Sequence, residues 1–376
     1  MQLKKRDIEH KIPDMLRPGK VLLLLGARRT GKTVLLNEYS KNLNVPYLKL
    51  LGEDFSVIES FEQQSITHYK QLLGDNKILI IDEAQHIPDI GRCLKLIVDN
   101  IPEVKVLITG SSAFDLSNNL GEPLTGRMNV LHTYPFSQKE YNENRIQAKA
   151  NLECRLIYGS YPELLEYTSF NEQQTYLQNL VSSYLFRDIL KFENIKHSDK
   201  LVALLRLIAF QIGKEVSTSE LSTQLGINKQ TVDRYLDLLS KTFVIFKLPG
   251  FSRNLRKEIT KSNRWYFYDN GIRNTLIANV NSINRRDDIG ALWENYIMSE
   301  RIKFQNNHGM LVNNYFWRTY DKQEIDLVEE RNGNLFSYEF KWKPKKIKTP
   351  IAWKENYPDA EFNVISPDNY LEWIGV

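Results

Sequence analysis

Cysteine is scarce in this sequence, since Cys93 and Cys154 are the only two among 376 residues. Two cysteines are too few for a disulfide framework or for a zinc site built from cysteine. Their scarcity is typical of a protein from a reducing compartment.

Long hydrophobic runs are missing as well. No apolar stretch approaches the roughly 20 residues that a membrane helix needs. The first residues, MQLKKRDIEHKIPDML, lack the apolar core of a signal peptide. The formal net charge of +4 is too small to imply a nucleic-acid partner. We therefore expect a cytoplasmic protein with no membrane partner, in which any contact with nucleic acid depends on local basic patches.

What the sequence does contain is a phosphate-binding loop. The apolar run Val21–Leu25 predicts a buried strand, and the next eight residues, GARRTGKT, fit the pattern G-x-x-x-x-G-K-[ST]. Gly26 and Gly31 allow the backbone amides to form a concave nest for phosphate oxygens. The helix that follows adds roughly half a positive charge at its N-terminus. Lys32 is placed for the β- and γ-phosphates and the Thr33 hydroxyl for Mg²⁺. The alternative is a strand–helix turn that carries Lys-Thr by chance. The predicted nucleotide-binding residues are Gly26, Ala27, Arg28, Arg29, Thr30, Gly31, Lys32, Thr33, Val34 and, from a later strand, Ser111.

A second buried strand ends in two acids, in the stretch KILIIDEAQH from Lys77 to His86. In enzymes with a phosphate-binding loop, an Asp at this position helps to hold Mg²⁺, which predicts that role for Asp82. Glu83 is placed to activate the attacking water. Capping of the next helix by these two acids is the alternative.

A third strand, VKVLI, ends in Thr109-Gly110-Ser111-Ser112, whose hydroxyls we expect beside the γ-phosphate. Arg127 follows in the stretch LTGR. It is equally a solvated charge and a candidate arginine finger, which would reach the phosphates of a neighbouring copy. The second interpretation predicts a homo-oligomer.

Taken together, GARRTGKT, LIIDEAQ, LITGSS, LTGR and HTYPFSQKEY, with the later GSYPE and WYFYDNG, resemble a large family of bacterial and archaeal AAA-type ATP-binding proteins with an uncharacterised C-terminal domain. The resemblance implies ATP and Mg²⁺ as ligands and ATPase activity, although the loop alone does not exclude GTP.

Residues 200–280 contain a capping box at Ser217, a turn at Gly226 and amphipathic helices, followed by strand-like segments. This order predicts a winged helix. DNA contact through it and through a later basic strip is one interpretation, and protein packing is the other. The residues expected to face DNA are Lys229, Gln230, Thr231 and Arg234 on the recognition helix and Arg253, Arg256, Lys257, Lys261 and Arg264 on the wing.

The last segment predicts a helix, three strands, a helix and a strand, and its acids resemble those of the PD-(D/E)xK nuclease superfamily. Glu294, Asp326 and Glu339 are the predicted metal ligands, and Asp326, Glu339 and Lys341 the predicted catalytic residues. Edge-strand ion pairs are the alternative. The basic strip consists of Lys343, Lys345, Lys346 and Lys348.

We therefore predict an α/β protein with four parts: an AAA-type P-loop NTPase core (1–134), a helical lid (135–199), a winged helix (200–280) and a nuclease-like α/β domain (281–376). Lys32, Glu83 and Arg127 are its predicted ATPase residues. Three other functions stay open, namely a slow nucleotide-dependent switch with an inert protein-binding C-terminal domain, an ATP-dependent DNA nuclease and a phosphotransferase. Glu83 favours hydrolysis over phosphotransfer, because a kinase does not need to activate water.

Overall fold

The computed structural model describes residues 4–111, 123–185, 198–252, 263–319 and 321–376. The chain forms two compact units, one of residues 2–134 with 241–243, the other of 135–240 with 244–376. We describe each by itself.

The first unit is built on a five-stranded parallel sheet in the order β2-β3-β4-β1-β5. The central strands are buried along their whole length, as expected of a parallel sheet covered on both faces. The strands are β1 Val21–Leu25, β2 Tyr47–Leu51, β3 Ile78–Asp82, β4 Lys105–Gly110 and β5 Met128–His132. The helices are α1 Ile12–Met15, α2 Lys32–Lys41, α3 Phe55–Glu62, α4 Ile66–Leu73 and α5 Ile90–Asn100, with 3₁₀ turns at Asp7–Lys11 and Ala84–His86.

Two features of this unit differ from the sequence prediction. The spacing of Ile66, Tyr69, Leu72 and Leu73 predicts one helix over 58–73. The structure has two helices there, because Gln64 adopts a φ of 44° and the Ser65 side chain caps the second one. Strand β5 was not predicted. It lies at the edge of the sheet, and only Leu131 of its five residues is buried, so its hydrophobic signal is weak.

The second unit begins with helical segments only, as predicted for the described part of 135–199: α6 Arg145–Ala150, α7 Leu152–Tyr158, α8 Phe170–Asn179, 3₁₀ turns Gln138–Tyr141 and Pro162–Glu166, and a π-helical turn Leu180–Leu185. Three helices and a three-stranded antiparallel sheet of order β6-β8-β7 follow. These are α9 Ser198–Phe210, β6 Glu215–Val216, α10 Thr218–Leu225, α11 Lys229–Lys241, β7 Ile245–Leu248 and β8 Asn263–Phe267.

Helix α12, Asn270–Leu276, was not predicted, and the stretch WYFYDNG leads into it. The Asp269 carboxylate caps this helix by accepting from the amide of Ile272, and it also accepts from the amide of Ser160. Asp269 is therefore a buried structural link between two of the recognised stretches.

The C-terminal elements surround a four-stranded sheet of order β12-β11-β10-β9, in which only the β11–β12 pair is parallel. They are α13 Ile289–Asn307, β9 Asn313–Arg318, β10 Glu324–Arg331, β11 Asn334–Phe340, α14 Ile351–Asn356, β12 Glu361–Ile365 and α15 Tyr370–Trp373, with a 3₁₀ turn at Ile283–Arg285 before them. The predicted order of one helix, three strands, a helix and a strand is present, and α15 is an addition.

Candidate functional sites

The strand register brings the phosphate-binding loop and the acidic strand to one edge of the parallel sheet. Leu25 pairs with Gly110, and Ile81 pairs with Ile108. The residues that follow β1, β3 and β4 therefore meet at the carboxyl edge of the sheet, where α/β proteins commonly bind their ligands.

Close packing explains Gly26 at the start of the loop. A Cβ at this position would lie 2.0 Å from the carbonyl oxygen of Thr133, so no larger residue fits. Thr30 donates to the carbonyl of Ala27 at 2.7 Å and lies 3.2 Å from the Thr133 hydroxyl. Arg6 stabilises the phosphate-binding loop by donating to the carbonyls of Thr30 (2.9 Å) and Tyr134 (2.7 Å).

Lys32 is the first residue of α2, and its side chain folds back over the loop. The Nζ atom donates to the carbonyls of Gly26 at 2.8 Å and Ala27 at 2.9 Å. Burial lowers the pKa of Lys32 to about 8, against the opposing charges of Glu83 and Asp82. The ammonium group is thus held inside the loop, while Thr33 and Val34 are exposed on the first turn of the helix.

Asp82 and Glu83 both contact one neutral side chain on β4, that of Thr109. The Thr109 hydroxyl donates to Asp82 Oδ1 at 2.5 Å and accepts from the Glu83 amide at 2.8 Å. Glu83 itself adopts left-handed backbone angles, φ 53° and ψ 47°, which are strained for a residue with a side chain. One hydroxyl therefore fixes both acids.

Gln85 connects Glu83 with Ser111. Its amide nitrogen donates to Glu83 Oε2 and, at 3.2 Å, to the Ser111 hydroxyl. Ser111 is buried directly after β4, whose last residue Gly110 accepts from the amide of Gly26 in the loop. Ser112 lies outside the described residues.

The donor set at this edge suits Mg²⁺ bound together with phosphates. Thr33 and Asp82 supply oxygen ligands, which Mg²⁺ prefers, and an ion that also contacts phosphates and water needs only one or two protein ligands. In the described ranges, no cluster of three or more His, Cys, Asp or Glu side chains is arranged to hold a metal by itself.

Arg127 lies at the opposite edge of the sheet. Its carbonyl accepts from the amide of Val21, at the amino end of β1. Its side chain donates to Asp99 of α5 at 2.6 Å in a half-exposed ion pair. Within its own chain, Arg127 is therefore separated from the loop by the length of strand β1.

The C-terminal site residues do come together. Continuing the β10–β11 register by one residue places Asp326 opposite Glu339, and Asp326 Oδ2 accepts from the amide of Phe340 at 2.8 Å. Lys341 donates to Glu339 Oε1 at 2.6 Å, so these two side chains share a face as predicted. Tyr266 donates to Glu294 Oε1 at 2.7 Å. We call Glu294, Glu324, Asp326, Glu339 and Lys341 the acidic cluster.

Burial sets the protonation of this acidic cluster. Burial, and then the charge of Asp326, raises the pKa of Glu294 to about 8 and that of Glu339 to about 7. Burial also raises the pKa of Asp326. Glu339 Oε2 is buried and accepts no hydrogen bond from the described part of the chain.

The prediction that Arg264 faces solvent on a wing is wrong. Arg264 is 5% exposed, and its guanidinium reaches the acidic cluster: Nη2 lies 3.0 Å from Glu324, and Nη1 lies 3.5 Å from Asp326 and 3.9 Å from Glu294. Carboxylates buried in a low-dielectric interior attract a cation strongly enough to draw the side chain inward.

Other predicted DNA contacts are exposed where the structure describes them. Lys229, Gln230 and Arg234 lie at the surface of α11, and Thr231 is half-buried. The basic strip, Lys343, Lys345, Lys346 and Lys348, is exposed after β11. Arg253, Arg256, Lys257 and Lys261 lie outside the described residues. The same holds for Phe186, Arg187 and the side chain of Tyr184, residues of the predicted lid whose sequence is open to two interpretations, lining of the nucleotide site and packing on a helix face.

Three stretches of the chain match models of known protein families, and the first of them contains the phosphate-binding loop and the parallel sheet. Residues 18–142 match the model of an AAA domain. Residues 149–283 match a domain of unknown function, DUF8612, and residues 289–370 match another, DUF4143. The α/β sheet and its phosphate-binding loop thus lie in the stretch that is similar to an AAA domain, and the two stretches similar to domains of unknown function follow it. This confirms the resemblance for the AAA part and the uncharacterised C-terminal domain.

Relatives and solved structures are similar at low identity. An uncharacterised protein of Mycobacterium tuberculosis is 25% identical over 91% of this chain and 74% of its own length. One of Haemophilus influenzae is 25% identical over 72% of each chain. A Walker-type ATPase of Pyrococcus abyssi is 17% identical over 72% of this chain and 95% of its own, with a TM-score of 0.49. The Thermotoga maritima RuvB Holliday junction branch migration motor is 17% identical, over 65% of this chain and 86% of its own, with a TM-score of 0.31.

No helix in the described ranges combines the length and the apolar character that a membrane span requires.

Proposed function

We propose that this protein binds ATP with Mg²⁺ and hydrolyses it. The observation that carries the proposal is the meeting of Lys32, Asp82 and Glu83 at one sheet edge, with Thr109 bonded to both acids. Lys32 and the loop amides hold the phosphates, while Thr33 and Asp82 hold Mg²⁺, which neutralises charge on the phosphates. Glu83 orients the attacking water and takes its proton.

Two variants test this proposal. Glu83→Gln keeps the shape of the side chain and removes its base, so ATP binding is retained while turnover falls about 10²- to 10⁴-fold. Lys32→Ala removes the charge at the phosphates, so ATP binding falls on the order of 10²-fold. Lys41→Ala, on the exposed end of the same helix, is the matched control and binds ATP normally.

Unchanged turnover in Glu83→Gln would remove Glu83 from the chemistry. Stoichiometric ATP binding with no hydrolysis by the wild-type protein would favour the switch, and transfer of the γ-phosphate to an acceptor would favour the phosphotransferase.

Arg127 acts, in this proposal, on ATP bound to a second copy of the chain. Its place at the amino edge of β1 supports this role, because the strand separates it from the loop of its own chain. A homo-oligomer assembled with ATP is the expected active form, and binding and hydrolysis reposition the C-terminal domains.

DNA is the proposed partner of the second unit. The order of α9, β6, α10, α11, β7 and β8 is compatible with the winged helix that the sequence predicts, and the exposed start of α11 supports contact with a duplex. Affinity for a short duplex should fall with salt. Lys229→Ala and Arg234→Ala should each flatten the slope of log affinity against log salt by about 0.9, whereas Lys354→Ala, an exposed lysine on α14, should not. Absence of binding at low salt would contradict a DNA partner.

A further inference from the structure

Arg264 ties strand β8 to the acidic cluster. Its guanidinium contacts Glu324, Asp326 and Glu294, and two of these are predicted metal ligands. Arg264 Cζ also lies over the Phe316 ring, 4.7 Å from the ring centroid. The side chain is thus fixed from two directions, by charge and by an aromatic face.

The acidic cluster lacks the set of free oxygen ligands that a divalent ion needs. Mg²⁺ binds oxygen ligands at about 2.1 Å and tolerates little distortion of its geometry. Arg264 Nη1 already lies between Asp326 and Glu294, where it repels a second cation. In the part of the chain that the structure describes, no three acidic, histidine or cysteine side chains are arranged to hold a metal. The residues of the acidic cluster therefore do not fit the metal that their resemblance implies.

We propose that the Arg264 guanidinium takes the place of the divalent cation in this cluster, so that the wild-type site binds no metal and cleaves no DNA. Arginine is suited to this position because it stays charged when buried and donates to several carboxylates at once. Lys341 pairs with a further acid of the cluster, Glu339, at 2.6 Å. The substituting cation comes from β8, which precedes the nuclease-like segment in the chain.

Mn²⁺ binding to the nucleotide-free full chain, counted by electron paramagnetic resonance, tests this proposal. Wild type and Asp326→Asn should bind the same number of ions. Arg264→Gln removes the charge and keeps a polar side chain, so it should bind one additional Mn²⁺ per chain. The double variant Arg264→Gln with Asp326→Asn should lose that ion. ATP turnover serves as the folding control for every variant.

Three results would overturn the proposal: loss of an ion when Asp326→Asn is made in the wild type, no gain in a folded Arg264→Gln, or wild-type Mg²⁺-dependent DNA cleavage that Asp326→Asn abolishes. If Arg264→Gln does not fold, the ion counts of the wild type and Asp326→Asn still test the proposal. The variant Glu339→Gln repeats this comparison at a second acid. An equal count of ions in the wild type and both acid variants then supports the proposal.

Discussion

At the edge of the parallel sheet, neutral groups hold the acids, since Thr109 donates to Asp82 and Gln85 donates to Glu83. In the acidic cluster, the Tyr266 hydroxyl and the Phe340 amide also donate to acids, but the buried Arg264 guanidinium lies against Asp326 and Glu294 as well. The two sets of acids therefore differ in the negative charge that they leave for an incoming cation. A carboxylate bonded to a hydroxyl keeps its negative charge for an incoming cation, whereas one paired with a guanidinium is already neutralised. Acidic side chains at the end of a strand are therefore suited to a metal site in the first unit, whereas in the second unit a buried cation already neutralises them.

The largest loss of turnover is expected at Arg127, in the first unit. Arg127→Ala should keep ATP binding and lose on the order of 10³-fold in turnover, because an arginine finger stabilises charge only in the transition state. Arg92→Ala, an exposed arginine on α5, is the matched control.

Mixing the two defective proteins tests the assembly. Arg127→Ala combined with Glu83→Gln should recover part of the activity, since each hybrid interface with an intact Glu83 regains an arginine. Protein that stays monomeric with ATP and still hydrolyses it at the wild-type rate would place Arg127 outside the reaction.

A smaller effect is expected at Thr109. Thr109→Val removes the hydroxyl and leaves buried polar groups of Asp82 and Glu83 without a partner, which costs about 1–3 kcal/mol. Turnover should fall about tenfold, because both acids lose their orientation. Thr109→Ser keeps the hydroxyl and should stay close to the wild type. Equal rates for the valine and serine variants would show that the acids do not depend on this residue.

How far the sequence predicts the site depends on how local each contact is. Lys32 was found because its pattern fits within eight residues, and Asp82 because a buried strand leads to it. The contacts of Arg6 with Thr30 and Tyr134 span 24 and 128 residues. The spacing of residues along the sequence does not predict contacts between residues so far apart. Thr109 was expected beside phosphate, and its bond to an acid 27 residues earlier became apparent only in the sheet.

Arg264 shows why part of the second unit was not predictable. It follows a basic stretch, where exposure is the ordinary expectation for arginine. Its partner Asp326 lies 62 residues later on another sheet. The decision between a solvated wing and a buried ion pair therefore depends on tertiary packing and not on local pattern. The order of secondary-structure elements, by contrast, follows largely from periodicity. The exceptions are β5, β6, the division of the helix over 58–73 into two, and the short helices α12 and α15.

The smallest predicted effect is one of pH. Burial lowers the pKa of Lys32 from 10.5 to about 8, and the ammonium form is the one that binds phosphate. ATP affinity should therefore be nearly constant up to about pH 7 and weaken as the pH rises through 8, by about fourfold at pH 8.5. In Lys32→Arg the guanidinium stays charged, so its affinity should not change over this range. A lysine protein with the same flat profile up to pH 9.5 would contradict the shift.

Whether the metal site lies at the phosphate-binding loop is tested most directly by a count of Mn²⁺ ions on the full chain with a non-hydrolysable ATP analogue, in wild type and in two matched variants. We expect one analogue-dependent ion per chain, which is lost in Asp82→Asn and retained in Asp326→Asn. An ion that survives Asp82→Asn and disappears in Asp326→Asn would contradict this expectation.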